Sequence, residues 1–288
     1  MFANQLKTFV LLVAISGLLI FAGRFFGGNS GALVAFCMAL LMNFFAYFYS
    51  DSMVLAMYGA KKLDPERFAQ IYEMVSELSL KAGIPNPKLF LIEHGMANAF
   101  ATGRNPEHAS IAVTSGIVDL LSPDELRGVL AHEISHIKNR DILIATIAAT
   151  FAMAIGYMAS MIRWGFIFGS SRRDDRDGSS GIGAFFAALL MPIAATLIQL
   201  AISRAREFQA DETGSQISQS PLSLASALEK ISYSASSHPI KNASYAQQAT
   251  SSMFICNPFS AKSLISLFST HPSTTERVKR LQKMASKF

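Results

Sequence analysis

Four stretches without a charged residue divide this chain, and nothing else in the sequence narrows its folds as far. They run from Thr8 to Gly23, Gly31 to Tyr49, Ile142 to Ile162 and Ile182 to Ile202. A helix needs about 20 apolar residues to cross a bilayer. The first run is a little short. Its apolar flanks (Met1–Leu6, Phe25, Phe26) and the long stems of Lys7 and Arg24 can extend it. A cleaved leader is the competing reading there, with Ala22-Gly23 as the cleavage site. The first two runs, joined by Gly-Asn-Ser-Gly, read as a transmembrane hairpin over residues 1–50. The last two make a second hairpin over 142–203, with Pro192 kinking its second arm. The Gly-, Ser-, Arg- and Asp-rich loop Arg163–Gly183 joins them, and its charges largely cancel.

Composition agrees with a multi-span membrane protein. Charged residues are 16% of the chain, against about 25% in average soluble proteins. The net charge of +5 is spread along the chain, which argues for a membrane-side bias and against a nucleic-acid partner. Cys37 lies in an apolar run and Cys256 far from it, so neither a disulfide nor a Cys-x-x-Cys metal site is expected. Four spans return the chain to the side it left. The N-terminus, residues 51–141 and residues 204–288 then share one face. Lys7, Lys61, Lys62, Lys138, Arg140, Arg204 and Arg206 flank the spans on that face, against Arg24, Arg163, Arg172, Arg173 and Arg176 on the other. This excess puts the shared face in the cytoplasm.

The polar segments read as mainly α with a small β-sheet. Asp64-Pro65-Glu66 is a helix start, followed by Phe68, Ile71, Tyr72, Val75 and Leu78 at helical spacing and a stop at Ala82-Gly83. Strands are expected at Lys88–Ile92, Ala97–Thr102 and Ser110–Thr114. Ser122-Pro123-Asp124-Glu125 is a capping box that opens a helix carrying Leu126, Val129 and Leu130. Toward the C-terminus, helices are expected over Leu222–Tyr233 and Ser273–Lys287, the second burying Val278, Leu281 and Met284. Residues 234–260 read as a mobile loop, and His94, His108 and His238 as surface residues.

The capped helix continues into Ala131-His132-Glu133-Ile134-Ser135-His136. Residues i and i+4 share a helix face, so His132 and His136 can bind one metal ion. Glu133 then borders the open side of that ion, where a carboxylate can take a proton from water. Lys138 to Asp141 are polar and precede the third run, so the motif lies just outside the hydrocarbon. A catalytic zinc site wants a third protein ligand and an open fourth position. Glu207 and Asp211, again i and i+4, follow the fourth run on the same membrane face. Glu207 fits the third ligand, and Asp211 fits a carboxylate that accepts the free N–H of a ligand histidine. The competing reading is a solvated acidic helix flank with Arg204 paired to Glu207.

His-Glu-Ile-Ser-His (132–136) followed by Ser203-Arg204-x-Arg206-Glu207-Phe208-x-Ala210-Asp211 resembles the HtpX-type heat-shock membrane metallopeptidases, relatives of the CAAX prenyl endopeptidases. The likeness extends to Asn98-Ala99-Phe100-Ala101-Thr102-Gly103, Ser122-Pro123-x-Glu125-Leu126, Asn139-x-Asp141 and His271-Pro272-x-x-x-Glu276-Arg277. It implies a zincin (gluzincin) catalytic domain split into 51–141 and 204–288, with one Zn²⁺ per chain and Glu207 as third ligand. It implies a quality-control endopeptidase of the bacterial inner membrane, in stress response, acting on misfolded or damaged membrane polypeptides. It further implies that Asn98, Ala99, Phe100 and Ala101 form the edge strand along which an extended substrate pairs. His271 and Arg277 are supporting residues near the cleft. Two alternatives are a CAAX-type prenyl-protein peptidase, disfavoured by the few spans, and a non-catalytic zinc-binding membrane protein, which would have no use for Glu133.

Overall fold

Gly28 turns the N-terminal apolar stretch back on itself. It is the one residue of helix α1 (Phe2–Met57) with non-helical angles, φ 58° and ψ −144°, a left-handed φ that glycine adopts without a steric penalty. The reversal is tighter than the Gly-Asn-Ser-Gly turn expected, because Asn29 and Ser30 are already helical. The two arms then touch. A Cβ on Gly23 would lie 2.5 Å from the Gly31 carbonyl oxygen, and Asn43 Nδ2 donates to Ser16 Oγ at 2.9 Å across the pair. Small residues and inter-helix hydrogen bonds are the usual means of holding helices together in lipid. Both arms, Thr8–Phe25 and Gly27–Met57, are long and apolar enough to cross a membrane.

The structure is a computed structural model that describes residues 2–151, 204–237, 254–255 and 272–286. The loop Arg163–Gly183, the fourth apolar run, His238, His271 and most of 234–260 lie outside the described residues. Of the third run, Ile142–Phe151 is described as an apolar helix, here α5. Its Ile147 and Phe151 pack with Leu11 and Ala46, one residue from each arm of α1.

A small mixed sheet sits beside this hairpin. Strands β1 (Lys61–Lys62), β2 (Lys88–Ile92), β3 (Ala99–Gly103) and β4 (Ala109–Thr114) lie in the order β1-β2-β4-β3. The β2–β4 pair is parallel and the other two are antiparallel. Three strands fall close to the expected segments. The short β1 was not anticipated, since two lysines carry no strand signal. Helix α2 (Ala69–Ala82) starts later than Asp64-Pro65-Glu66 suggests: Asp64 closes a turn instead, accepting from Glu66 N at 3.0 Å, and Phe68 becomes the N-cap. The short α3 (Ser115–Leu120) then leads to α4 (Pro123–Lys138). Helices α6 (Arg204–Ser218), α7 (Pro221–Ser237) and α8 (Thr274–Ala285) complete the described chain. Helix α7 runs four residues beyond the expected Tyr233, into the segment read as a loop. Leu78, Ile111, Val129, Ile134, Leu228 and Leu281 belong to one continuous core between these helices and the sheet.

Helix α4 runs through the middle of that core, and its N-terminus is fixed by Glu125. The capping box is present, with the Ser122 amide donating to Glu125 Oε2 at 2.8 Å. Ser226 Oγ (2.7 Å) and Lys230 Nζ (2.8 Å) of α7 donate to the same carboxylate. Burial opposes its charge, but these donors win and hold its pKa down at about 2. A depressed carboxylate contributes stability above its unfolded pKa and loses it as pH falls through the folded value. Glu125→Gln is therefore expected to cost about 1–2 kcal/mol at pH 7. The difference should shrink below pH 4.5 and vanish near pH 2, as urea denaturation across that range would read.

Candidate active site

The site is built where α4 and α6 cross. The ridge of α6 facing α4 carries Glu207, Asp211 and Gly214 at i, i+4 and i+7. Gly214 lets the helices meet: a Cβ there would lie 3.0 Å from the His132 amide nitrogen and 3.1 Å from its Cα. The contact is with helix backbone and not with the end of a flexible side chain, so relief comes from the two helices moving apart by a few tenths of an ångström. Gly214→Ala is therefore expected to cost about 1–3 kcal/mol and to weaken metal binding, because it separates the helix of His132 from that of Glu207. Chelator competition on the variant would show it. Gly128→Ala serves as the control, since its Cβ would meet Leu224 of α7, at 2.9 Å from the amide nitrogen, away from the site.

His132 is 1% exposed and Glu133 4%, while His136 is half-buried. The Nε2 atoms of His132 and His136 are 3.1 Å apart. Glu207 Oε2 is 3.7 Å from the first, and Glu207 Oε1 is 3.8 Å from the second. One donor atom from each of these three residues falls within 4.8 Å of the others. Ligand atoms around a tetrahedral ion bound at about 2.0–2.1 Å lie roughly 3.3 Å apart, so this donor set fits a metal ion.

Each imidazole is held from behind by a carboxylate. Asp211 Oδ1 is 3.0 Å from His132 Nδ1, and Asp141 Oδ2 is 3.1 Å from His136 Nδ1. A carboxylate can only accept, so each Nδ1 keeps its proton and each Nε2, the atom a metal would take, faces the centre. Asp141 reaches His136 because α4 ends in a Schellman turn. Arg140 adopts φ 56°, its amide donates to Ile137 O, and the Asp141 amide donates to His136 O. In the sequence Asp141 reads only as a polar residue before the third run and as part of Asn139-x-Asp141. The available signal was a carboxylate five residues beyond a candidate ligand, in the turn that must follow the helix.

Arg277 is 1% exposed and binds Asp211 with both ends of its fork, Nε to Oδ2 at 2.8 Å and Nη2 to Oδ1 at 2.6 Å. Its Nη1 is 3.7 Å from Glu207 Oε2 and donates to Ile255 O at 3.4 Å. The supporting residue of the sequence analysis thus lies within the cluster. Arg206, counted above as a membrane-flanking charge, is instead buried, with Asp141 and Glu207 as its nearby carboxylates. His94 and His108 are exposed, with local partners in Met96 and Asn105.

Electrostatics separate the two histidines and the neighbouring acid. Burial, helped by Arg277 and His136, pushes the His132 pKa down and keeps that ring neutral. Burial also opposes charge on His136, but Asp141, Glu207 and Glu133 outweigh it and raise its pKa to about 10. A positive charge, on the ring or on an ion bound to it, is therefore favoured beside Asp141, Glu207 and Glu133. Burial lifts Glu133 to about 7, with Glu207 adding to the effect and His136, Arg277 and the Ala101 amide opposing it. Asp211 stays charged despite burial, chiefly because of Arg277.

Strand β3 borders this cluster as an edge strand of the sheet among the described residues. It holds Ala99, Phe100 and Ala101 of the expected substrate strand, and Asn98 stands just before it. Two of its outward amides are engaged. Ala101 N donates to Glu133 Oε2 at 2.8 Å, and Gly103 N to Thr146 Oγ1 of α5 at 3.4 Å. The Ile255 amide donates to Asn98 Oδ1 at 3.1 Å.

Residues 65–285 match the model of peptidase family M48. A protein from Persephonella marina named "Protease HtpX homolog" is 50% identical over 282 residues, which covers 98% of each chain. One of the same name from Pyrococcus furiosus is 49% identical over 279 residues, covering 97% of this chain and 95% of its own. Among solved structures, Ste24p of S. mikatae aligns with a TM-score of 0.50 and 20% identity. That alignment covers 97% of this chain and 66% of the Ste24p chain.

Proposed function

The chain belongs to peptidase family M48 and is a membrane metallopeptidase whose substrates are polypeptides; on that premise we propose that His132, His136 and Glu207 hold one zinc ion and that Glu133 is the general base. The observation that carries this reading is the convergence of three metal-binding side chains whose two imidazoles are each backed by a carboxylate. Two imidazoles and a carboxylate suit zinc, which when bound would supply the Lewis acidity that activates water and polarises the scissile carbonyl.

The chain's own residues then do the following. Asp211 and Asp141 keep the Nδ1 protons of His132 and His136 in place and so fix both rings. Arg277 holds Asp211 charged and oriented. Glu133, poised near neutral pH by its burial, takes a proton from water at its carboxylate and returns it to the departing amine. An extended substrate pairs along Asn98–Ala101, which requires Ala101 to exchange its bond with Glu133 for one with substrate. His271 remains a supporting residue in this reading.

We further propose four spans, arranged as two hairpins at 1–50 and 142–203, that divide the catalytic domain into 51–141 and 204–288. The catalytic face is cytoplasmic, in a bacterial inner membrane, supported by Lys7, Lys61, Lys62, Lys138, Arg140 and Arg204 flanking the spans. The substrates are misfolded or damaged membrane proteins. Neither the prenyl-protein peptidase nor a catalytically idle zinc protein is favoured by relatives at this identity.

The test is elemental analysis of detergent-solubilised protein beside a casein-cleavage assay. The parent is expected to carry one zinc per chain, and Glu207→Ala to lose most of it together with activity. Full occupancy in Glu207→Ala would pass the third-ligand role to another residue such as Asp211.

A further inference from the structure

The edge strand beside Glu133 ends next to the aromatic end of a helix long and apolar enough to span a membrane, and this limits what can be cut. Three observations argue for a bilayer surface at that level. Phe44, Phe45, Tyr47, Phe48 and Tyr49 cluster near the end of the second arm of α1, from 38% to 52% exposed, just before Ser50 and Asp51. Aromatic clusters of this kind collect at the lipid–water interface. The Arg104 guanidinium, one residue beyond β3, lies 5.4 Å over the Phe48 ring, a cation–π contact at that level. Finally, α5 packs against Leu11 and Ala46 of the two spanning arms through Ile147 and Phe151, and Thr146, beside them, grips the end of β3. Thr146 Oγ1 donates to Ile142 O at 2.7 Å, so it accepts from Thr102 Oγ1 (3.0 Å) and from Gly103 N.

The edge of β3 is therefore closed at its membrane end by a helix of the membrane domain, while Ala101 sits on Glu133. From Ala101 to Arg104 an extended chain covers roughly 10 Å. A substrate paired antiparallel to β3, as β4 is on the other side, has its residues N-terminal to the cut running toward Gly103. Blocked there by Thr146, they must leave the edge at the aromatic level within three or four residues.

Building on the peptidase reading above, we infer that the substrates are the extended segments directly C-terminal to a transmembrane span, cut within a few residues of the bilayer surface. The selectivity comes from the height of the edge strand above the membrane, in addition to any side-chain pockets.

The experiment uses the full chain reconstituted in vesicles of phosphatidylethanolamine and phosphatidylglycerol. Its substrate is a single-span polypeptide followed by an unstructured linker of one repeated unit, so that each register offers the same chemistry. Cut positions are read by mass spectrometry. Cuts are expected to concentrate in roughly the first six residues after the span, with at least a tenfold fall beyond them. The same linker without a span should be cut at least tenfold more slowly and without positional preference. A reversed substrate, with the span after the linker, should lose the concentration of cuts. Even cutting along the linker, or equal confinement in the reversed substrate, overturns the inference while leaving the peptidase reading intact. No cleavage of either linker or of casein overturns both.

Discussion

Glu133→Gln is expected to abolish most proteolysis while leaving the metal in place. The carboxylate is not within the ligand trio, and its Oε2 accepts the Ala101 amide at 2.8 Å. A glutamine carbonyl can accept the same hydrogen bond, so β3 and α4 stay in register. What glutamine cannot do is take a proton. Loss of a positioned general base typically costs about 10²–10⁴ in rate. The variant should therefore bind metal at the parental stoichiometry and cleave casein at least 100-fold more slowly. Cleavage at the parental rate by purified Glu133→Gln would remove Glu133 from the mechanism. Metal loss alongside activity would show instead that Glu133 helps to hold the ion. The surroundings make the base competent as well as present. Burial, with Glu207 adding to it, lifts this carboxyl toward neutrality, and at about 7 Glu133 can both accept and release a proton under ordinary conditions.

The α4 half of the site was legible because local rules act there. Ser122, Pro123 and Glu125 announce a helix start, and the histidine spacing is read on the helix so begun. The pairing of α4 with α6 could be expected only from the four proposed spans, which would return both to one face. Their contact depends on Gly214, whose lack of a side chain gives no signal until the facing backbone is known. Asp141 was missed for a related reason. It reaches His136 through the left-handed Arg140, a conformation that arginine's side chain does not advertise. Arg206 reads as a membrane-flanking charge in the sequence, and burial beside Asp141 and Glu207 reassigns it. Strand β1 was missed because its pairing with Phe90 and Leu91 of β2 is imposed by the sheet and not by the two lysines themselves.

The largest stability effect is expected at Arg277. It is among the most deeply buried side chains described, and it spans from the C-terminal helix α8 to the carboxylate that orients His132. Arg277→Ala would leave Asp211, itself 3% exposed, charged and without its bidentate partner. Breaking a buried ion pair from one side typically costs about 3–5 kcal/mol, because the remaining charge stays desolvated. Two consequences separate this from simple loss of packing. First, Arg277→Ala combined with Asp211→Asn should cost less than the two single changes added together, since the second change removes the stranded charge. Second, metal affinity should fall by about 10–100-fold, the usual effect of disturbing the group behind a ligand histidine. Arg277→Lys keeps the charge but not the fork, so it should recover only part of either loss. Chemical denaturation of the four proteins of the cycle, with zinc competition on each, measures both. Strict additivity with unchanged zinc affinity would reduce Arg277 to a space-filling residue. Coupling with lost affinity would make α8 part of the metal site although it contributes no ligand.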